Sequence, residues 1–324
     1  MSHYRQWSII NKISVHLPST IANRMDKKVI DECISQLNSA QGISNVTTVN
    51  APAVKQLISP RDPRSYKGDY GHALLYAGSL GMAGAAVLAS RACLRSGVGL
   101  LTVCTPSCNN VILQVSVPEA MTVSDDDIYA NTILDRYKAI GAGPGLGRGA
   151  AQAALLGRLL RSASCPMVLD ADALNIMAAD RSLLEAIPAG SVITPHPGEL
   201  KRLVGDTTCY RELIERAAVL ASEYGITVVV KGAPTVTVTP NGRAYVNTTG
   251  NPGMATGGSG DVLTGITLAL LAQGFDQEKA AYTAVYIHGL AGDAAAHTYG
   301  MTAMTSADIA SSLPQVWQQF ENMI

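Results

Sequence analysis

The segment GNPGMATGGSGDVLTG, residues 250–265, places six glycines and a single carboxylate, Asp261, directly before an apolar run. This run, from Val262 to Phe275, is uncharged and too short to span a bilayer. Consecutive glycines let backbone N–H groups converge on an anion, and a helix that begins near Asp261 adds the positive end of its dipole. The segment therefore predicts an anion hole formed by Gly257, Gly258, Ser259 and Gly260.

A tight loop with Asp261 as the helix N-cap is the alternative interpretation, because aspartate is favoured at that position. A cap needs only one residue, whereas this loop contains several glycines, each with an entropic cost. We therefore expect Asp261 to accept a proton from a substrate hydroxyl that attacks a phosphoryl group. Phosphoryl transfer needs mainly positioning and charge stabilisation, together with one such base.

On the N-terminal side of this segment, short apolar strands alternate with helical stretches, including an Ala-rich helix predicted over residues 83–96. Each strand runs directly into a loop that contains Gly, Pro or Asp, as in HALLYAG (72–78), GLLTVCTP (99–106), KAIGAGPG (138–145), CPMVLDAD (165–172), SVITPHPG (191–198) and TVVVKGAP (227–234). This alternation predicts an α/β fold with a mostly parallel central sheet flanked by helices. Because ligands bind at the carboxyl ends of parallel strands, these loops should face one site.

Two segments depart from the parallel pattern. TVTVTPNGRAYVNTT (235–249) alternates with period two around Asn241 and Gly242, which predicts an antiparallel hairpin at a sheet edge beside the site. Residues 1–50 are polar and form an extension of unknown role, with a short helix predicted over residues 26–37 and a linker, SAQGISNVTTVNA, over residues 39–51. The main domain is predicted to span residues 51–324.

Composition limits the kinds of partner. The chain has 324 residues, of which 47% are hydrophobic, and this length suits one large α/β domain. A formal net charge of −1 without a basic cluster argues against nucleic-acid and anionic-membrane partners. Six scattered cysteines without a Cys-x-x-Cys pair are typical of thiols in a reducing compartment. Because the first twenty residues lack a signal-peptide core, a cytoplasmic location is expected.

Two common nucleotide signatures are absent from the sequence. GAGPGLG (141–147) lacks the third glycine of the dinucleotide fingerprint, and the Gly-Lys dipeptide of a P-loop does not occur. The phosphates of a bound nucleotide must therefore be held by another backbone element, for which the loop 257–260 is the candidate. Lys231 stands at a strand end beside Gly232, where it is either a phosphate neighbour or an ordinary surface lysine.

The segment TPHPGEL (194–200) follows another strand and contains two candidate site residues. His196 could contact substrate, and Glu199 could hold a magnesium ion, directly or through water. Helix capping by Thr194 or Glu199 is the alternative, because acids are favoured in the first helical turn.

The segment DADALN (170–175) offers Asp170 and Asp172 at a further strand end. Either carboxylate could assist a metal ion, but helix capping by Asp172 is the preferred interpretation. His288 and Asp293 fall in an Ala-rich helical stretch, and we treat them as structural.

Taken together and in this order, six segments resemble the ADP- or ATP-dependent NAD(P)H-hydrate dehydratase family over residues 51–324. They are YKGDYGHALLYAGSLGMAGAAVLASRACLRSGVGL, GAGPGLG, VLDADALN, TPHPGEL, VVVKGAPTV and GNPGMATGGSGDVLTG. The resemblance implies a ribokinase-like fold that dehydrates the S epimer of NADHX or NADPHX, the hydrates of NADH and NADPH. The nucleotide would phosphorylate the hydrate's hydroxyl with Asp261 as the base, and elimination of phosphate would restore the nicotinamide ring.

The resemblance also implies roles for individual residues. Positions that contact the hydrate in the family match Ala86, Gly145, His196 and Asp261. Positions that hold the nucleotide match Lys231, Gly232, Ala233, Pro234, Thr235 and Gly260. Magnesium, a homotetramer and, from the GNPGMATGG form typical of bacterial members, a preference for ADP are further implications.

The sequence departs from the family pattern at three places. Tyr66 stands where the family usually has His, and Ser259 stands where Met or Thr is common. Residues 1–50 are too short for the epimerase domain that many relatives carry, so epimerase activity is not expected. Two alternatives stay open: a ribokinase-like kinase of a thiazole or pyrimidine alcohol, and a nucleotide-sensing module without turnover.

Overall fold

A computed structural model of the chain describes residues 25–125, 128 and 134–323. Within these residues, ten strands form one sheet: β1 (Asn45–Thr48), β2 (His72–Tyr76), β3 (Leu100–Thr105), β4 (Met121–Ser124), β5 (Ala139–Ala142), β6 (Met167–Leu169), β7 (Val192–Ile193), β8 (Thr227–Val230), β9 (Val236–Val238) and β10 (Arg243–Val246). The strands lie in the order β1-β10-β9-β8-β7-β6-β5-β2-β3-β4. All neighbours are parallel except β9, which is antiparallel to β8 and to β10. The predicted mostly parallel sheet is confirmed.

Helices cover both faces of the sheet. In the part of the chain that the structure describes they are α1 (Lys27–Asn38), α2 (Ala51–Lys55), α3 (Ala83–Arg95), α4 (Asn110–Ser116), α5 (Ala150–Ser162), α6 (Ala171–Ala179), α7 (Pro197–Val204), α8 (Tyr210–Tyr224), α9 (Ser259–Ala272), α10 (Gln277–Tyr299) and α11 (Ser306–Glu321). The helices predicted over residues 26–37 and 83–96 are confirmed as α1 and α3, with small differences at their ends.

Alternate residues of the central strands point into two apolar clusters, one on each face. Ala73 and Leu75 of β2 belong to the cluster that includes residues of α3, α9, α10 and α11. Leu74 and Tyr76 belong to the other cluster, with residues of α1, α5, α6, α7 and α8. Because successive side chains of a strand point to opposite faces, a strand that is apolar throughout requires helices on both sides.

Helix α9 packs directly on α3 through a glycine. Its residues from Val262 to Ala272 are all buried. A Cβ atom at Gly265 would lie 2.1 Å from the main-chain oxygen of Ala89, so the two backbones approach more closely than a larger residue permits. Thr264 Oγ1 also donates a hydrogen bond of 2.9 Å to Asp170 Oδ2, just beyond β6. These contacts place the N-terminus of α9 at the carboxyl edge of the sheet.

The predicted hairpin is present as β9 and β10, but it does not form the edge of the sheet. Strand β1 pairs in parallel with β10, so the hairpin lies one strand inside the edge. The linker predicted over residues 39–51 is therefore wrong for residues 45–48. The segment NVTT is polar enough to suggest a linker, yet its β-branched residues suit a short edge strand with one solvated face.

We expect Gly265→Ala to destabilise the fold, because the new Cβ atom would overlap the main chain of α3. The free energy of unfolding, measured by urea denaturation, should fall by about 1–3 kcal/mol. Gly84→Ala is the matched control: Gly84 lies in α3, and a Cβ atom there would meet nothing within 4 Å. Since alanine is favoured in helices, Gly84→Ala should be neutral or stabilising. Wild-type stability of Gly265→Ala would contradict this packing argument.

Candidate active site

The loops at the carboxyl ends of β6, β7 and β8 converge on the N-terminus of α9, whereas the loop after β5 packs against α3. Lys231 follows β8 and lies beside α9: a Cβ atom at Gly260 would be 3.3 Å from Lys231 Nζ and 3.3 Å from Asp170 Oδ2. Asp170 follows β6, and Glu199 belongs to the loop and helix that follow β7. Gly145 follows β5. The sequence prediction that these loops face one site is confirmed for the residues that surround Lys231.

The predicted anion hole is the glycine-rich first turn of α9. Gly258 is the N-cap residue with a φ of 90°, a left-handed conformation that favours glycine. A Cβ atom there would also lie 2.5 Å from Leu88 Cδ1. Asp261 lies inside the first turn, so its alternative interpretation as the N-cap is wrong. No side chain caps this turn, although Ser259 N donates a 3.3 Å hydrogen bond to the Thr256 carbonyl. Open N–H groups at the start of a helix are the arrangement that binds anions.

A buried cation links the predicted site segments. Lys231 Nζ donates a 2.7 Å hydrogen bond to Asp170 Oδ1 and lies 3.7 Å from Glu199 Oε2. Burial by itself would lower the pKa of Lys231, but the carboxylates of Asp170 and Glu199 raise it above its ordinary value. The lysine therefore stays charged beside the anion hole, and the alternative of an ordinary surface lysine is wrong.

Asp261 has the protonation behaviour of a general base near neutral pH. Burial raises the pKa of its carboxyl to about 7, and the charge of Asp170 adds to this rise, while the Lys231 ammonium opposes it. A base is most effective when its pKa lies close to the working pH. The raised pKa of Asp261 is therefore compatible with its predicted role as the proton acceptor.

His196 and Glu199 begin helix α7 as a reciprocal capping pair. Gly198 N donates to His196 Nδ1 at 3.0 Å, and His196 N donates to Glu199 Oε2 at 2.8 Å. The capping alternative for Glu199 is thus confirmed, whereas Thr194 does not begin this helix. Half of the His196 side chain remains exposed, which leaves its ring available to a ligand.

A cavity of about 940 Å³ opens beside this arrangement, within the size range of small-molecule sites. Of the predicted nucleotide and anion residues, those that line it are Lys231, Gly232, Ala233, Thr235, Ser259 and Gly260. Pro234 does not line it. The loop after β8 is closed by Thr235, whose Oγ1 donates to the Gly232 carbonyl at 2.9 Å. The predicted nucleotide residues are therefore brought together, although their binding role stays a prediction.

Most of the predicted hydrate contacts lie outside this cavity. His196 lines it, whereas Asp261 does not. Ala86 is fully buried in α3, and Gly145 packs against that helix, where a Cβ atom would be 2.8 Å from the Cβ of Ala85. Asp172 was expected to cap a helix, but its Oδ2 instead accepts a 2.9 Å hydrogen bond from Gly147 N. The cap of α6 is Asp170. Asp172 therefore holds the end of the GAGPGLG loop.

Sequence reasoning missed two residues of α10. His288 was treated as structural, yet it lines the cavity, and its Nε2 lies 3.3 Å from Ser259 Oγ. Burial lowers the pKa of His288 to about 4, so the ring is neutral. Asp293 accepts hydrogen bonds from the loop that leads to α9. The spacing of these two residues in an Ala-rich helix carries no signal that the glycine-rich loop packs on them.

Within residues 25–125, 128 and 134–323, no cluster of three or more His, Cys, Asp or Glu side chains could hold a metal ion by itself. All six cysteines are free thiols. In the same part of the chain, no helix combines the length and the apolar composition that a membrane span requires.

Tyr66, at the family's usual His position, is 69% exposed and starts a short 3₁₀ turn, so the structure gives it no contact with this cavity.

The doubly covered sheet and the glycine-rich helix N-terminus beside a carboxylate define a ribokinase-like protein. A ribokinase-like superfamily protein of Enterococcus faecalis superposes with a TM-score of 0.77 at 30% identity, covering 86% of this chain and 97% of that one. The Bacillus subtilis ADP/ATP-dependent NAD(P)H-hydrate dehydratase, co-crystallised with ATP and Mg²⁺, gives a TM-score of 0.74 at 32% identity, covering 86% and 99%. The predicted fold class is confirmed.

The chain belongs to the NAD(P)H-hydrate dehydratase family, whose model matches residues 73–315. It is 38% identical to a bifunctional NAD(P)H-hydrate repair enzyme of Moorella thermoacetica over 92% of this chain and 58% of that protein. The chain thus spans little more than half the length of such bifunctional relatives. It is also 37% identical to the ADP-dependent (S)-NAD(P)H-hydrate dehydratase of Bacillus subtilis, covering 83% of this chain and 96% of that protein. The predicted family is confirmed.

Asp261→Asn should stabilise the protein above neutral pH. Because the pKa of Asp261 is raised from 3.8 to about 7, ionising this carboxyl opposes folding. The cost is absent below pH 3.8, grows as the pH rises, and is complete above about pH 7. At pH 8, urea denaturation should show a free energy of unfolding higher than that of the wild type by up to about 4 kcal/mol.

The gain should shrink as the pH falls towards 4, where the wild-type carboxyl is protonated in the folded protein. Asp206→Asn, at an exposed position outside the cavity, is the matched control and should change stability little at either pH. A less stable Asp261→Asn protein at pH 8 would show that the ionised carboxylate is favoured by its surroundings.

Proposed function

We propose that this protein repairs nicotinamide nucleotides by dehydrating the S epimer of NADHX or NADPHX with ADP or ATP as the phosphate donor. The observation that carries the proposal is the position of Asp261 in the open first turn of α9, beside the Lys231 ammonium and a nucleotide-sized cavity. The name and donor of the Bacillus subtilis relative, which this chain matches over nearly its whole length, support the same reaction.

In the first step, Asp261 takes the proton from the hydroxyl of the hydrate as the hydroxyl oxygen attacks the terminal phosphoryl group of the donor. The bond from that phosphoryl group to the next phosphate breaks, which releases AMP from ADP or ADP from ATP. The N–H groups of Gly257, Gly258, Ser259 and Gly260 stabilise the charge on the transferring group, and the Lys231 ammonium adds a fixed positive charge beside them. In the second step, the bond between the ring carbon and the phosphorylated oxygen breaks, phosphate leaves, and loss of a ring proton restores the reduced nicotinamide. Phosphate thereby replaces hydroxide as the leaving group.

The donor set is compatible with magnesium held mainly by nucleotide phosphates and water. Magnesium often takes only one or two carboxylates, and Glu199 would supply an oxygen ligand, directly or through water, beside the proposed anion hole. Its Oε2 also accepts the capping hydrogen bond from His196 N, which favours contact through water. When bound, the ion would neutralise phosphate charge. The related Bacillus subtilis enzyme was co-crystallised with ATP and Mg²⁺, which supports this assignment.

The remaining parts of the proposal concern the protein as a whole. We assign the reaction to residues 51–324 and regard residues 1–50 as an extension, of which α1 and β1 pack on the sheet. Free cysteines support a reducing, cytoplasmic location. The alternative of a thiazole or pyrimidine alcohol kinase has less support, because the Moorella thermoacetica and Bacillus subtilis relatives are named as NAD(P)H-hydrate enzymes.

The purified chain, mixed with (S)-NADHX, magnesium and either ADP or ATP, should restore absorbance at the reduced-nicotinamide band. Asp261→Asn should bind nucleotide nearly normally, but its turnover should fall by about 10²–10⁴-fold, since the base is lost. Asp206→Asn, the same chemical change at an exposed position, should retain wild-type turnover. A stable phosphorylated alcohol together with untouched NADHX would favour the kinase alternative instead.

The predicted homotetramer has a candidate surface in an exposed apolar patch, the α4 patch, formed by Val111, Ile112 and Val115 of α4 and Met121 of β4. Sedimentation should give four times the chain mass of 33.9 kDa, and Val115→Asp should dissociate the assembly because a charge would be buried in the interface. Val219→Asp, at an exposed valine of α8, should leave it intact. A monomeric wild type would refute the tetramer.

A further inference from the structure

One face of α10 packs against residues 249–254, the segment that leads into the anion hole. Two glycines make this approach possible: a Cβ atom at Gly289 would lie 2.1 Å from Thr249 Oγ1, and one at Gly292 would lie 2.3 Å from Met254 Sδ. Thr249 Oγ1 also donates a 2.9 Å hydrogen bond to the main-chain oxygen of Tyr286. The helix therefore serves as a close-fitting support for this segment.

The same segment forms one wall of the cavity. Gly250, Asn251, Pro252 and Met254 all line the cavity, as do Thr249 and Gly289. Asp293 does not line it and is 3% exposed, so it lies behind the wall. Any effect of Asp293 on a bound ligand must therefore pass through the residues in front of it.

Asp293 holds this wall with both carboxylate oxygens. Its Oδ2 accepts a 3.0 Å hydrogen bond from Gly250 N, and its Oδ1 accepts a 2.9 Å hydrogen bond from Asn251 Nδ2. Asn251 Oδ1 in turn accepts from Gly253 N at 3.0 Å, so the orientation of the Asn251 amide is determined at both ends. Within the described residues, no cation forms an ion pair with Asp293.

A buried carboxylate without a cation is costly, and burial accordingly raises the pKa of Asp293 to about 6. An alanine or leucine at this position of an apolar helix would avoid that cost. What the carboxylate supplies is two acceptors for two donors of one loop. The loop contains Gly250 and Gly253 and would otherwise have many accessible backbone conformations.

We propose that Asp293 is a positioning residue for the nucleotide: through Gly250 and Asn251 it fixes the cavity wall against which the adenine nucleotide binds. The inference rests on the proposed function, because it takes the cavity to be the nucleotide site. It extends that function to a buried residue of α10 that neither touches the reacting atoms nor lines the cavity.

The test uses the complementarity between Asp293 and Asn251. In Asp293→Asn, the new amide group faces one of the two donors, so one hydrogen bond is replaced by two opposed N–H groups. In Asn251→Asp, two carboxylates face each other. The double variant Asn251→Asp with Asp293→Asn exchanges the amide and the carboxylate, which restores every donor and acceptor and keeps the net charge.

We expect each single variant to raise the dissociation constant for ADP, measured by calorimetry, about tenfold or more, and the KM for nucleotide likewise. The double variant should recover most of the wild-type affinity. The turnover number at saturating nucleotide and the KM for NADHX should change much less. A purely structural role would instead lower stability without this recovery of ADP affinity or this separation of KM from kcat.

Glu212→Gln is the matched control, because Glu212 also accepts backbone and side-chain hydrogen bonds, from Thr208, and does not line the cavity. Its ADP affinity should equal that of the wild type. If Asp293→Asn fails to fold, the double variant decides: ADP affinity near wild type supports the proposal. Wild-type ADP affinity in Asp293→Asn, or a double variant as weak as the single variants, overturns it.

The two proposals fail in different ways. A wild-type protein that binds ADP but does not convert NADHX would refute the proposed function and leave the role of Asp293 standing. A wild-type protein that does not bind ADP would overturn the role of Asp293 as well.

Discussion

The site depends on the burial of α9 in the core, with its N-terminus held at the carboxyl edge of the sheet. The helix can lie there because Gly265 allows its backbone to touch that of α3 at Ala89, and because its residues after Asp261 are uncharged. The N-terminus of such a buried helix presents the positive end of the helix dipole and its open N–H groups to the site. The proposed phosphate-binding site is therefore a consequence of core packing as much as of loop sequence.

The charges around this helix end are balanced within the site. Lys231 is largely buried and stays charged because Asp170 and Glu199 lie beside it. Asp261 forms no side-chain hydrogen bond or ion pair with the described residues, and its pKa is raised. The same lysine thus provides positive charge for an anion and partly offsets the repulsion that Asp170 exerts on Asp261. When one of two neighbouring acids is paired with a cation and the other is not, their pKa values differ, and the acid with the raised pKa can act as a base near neutral pH.

Much of the architecture could be predicted because each local pattern agreed with the fold. Apolar strands that end in Gly, Pro or Asp indicated a parallel sheet, and Asn241-Gly242 indicated the hairpin turn. The sequence predictions failed where the residue types of a segment suggested one role and its contacts in the folded protein gave it another. Residues 45–48 are polar enough for a linker, but the open edge of β10 gives them a partner. Asp172 suits a helix cap in sequence, yet it bonds to Gly147 of another loop.

The sequence by itself determined the class of fold and the family, and it indicated the residues of the proposed anion hole and base, because these are properties of contiguous motifs. Only the tertiary structure decided which acid pairs with Lys231, that Asp261 is left with a pKa of about 7, that His288 lines the cavity, and that Asp293 supports the cavity wall from behind. The physical reason is that burial and hydrogen bonding depend on segments far apart in the chain. Asp170 and Thr264, or Gly250 and Asp293, meet only after the sheet and its helices have packed.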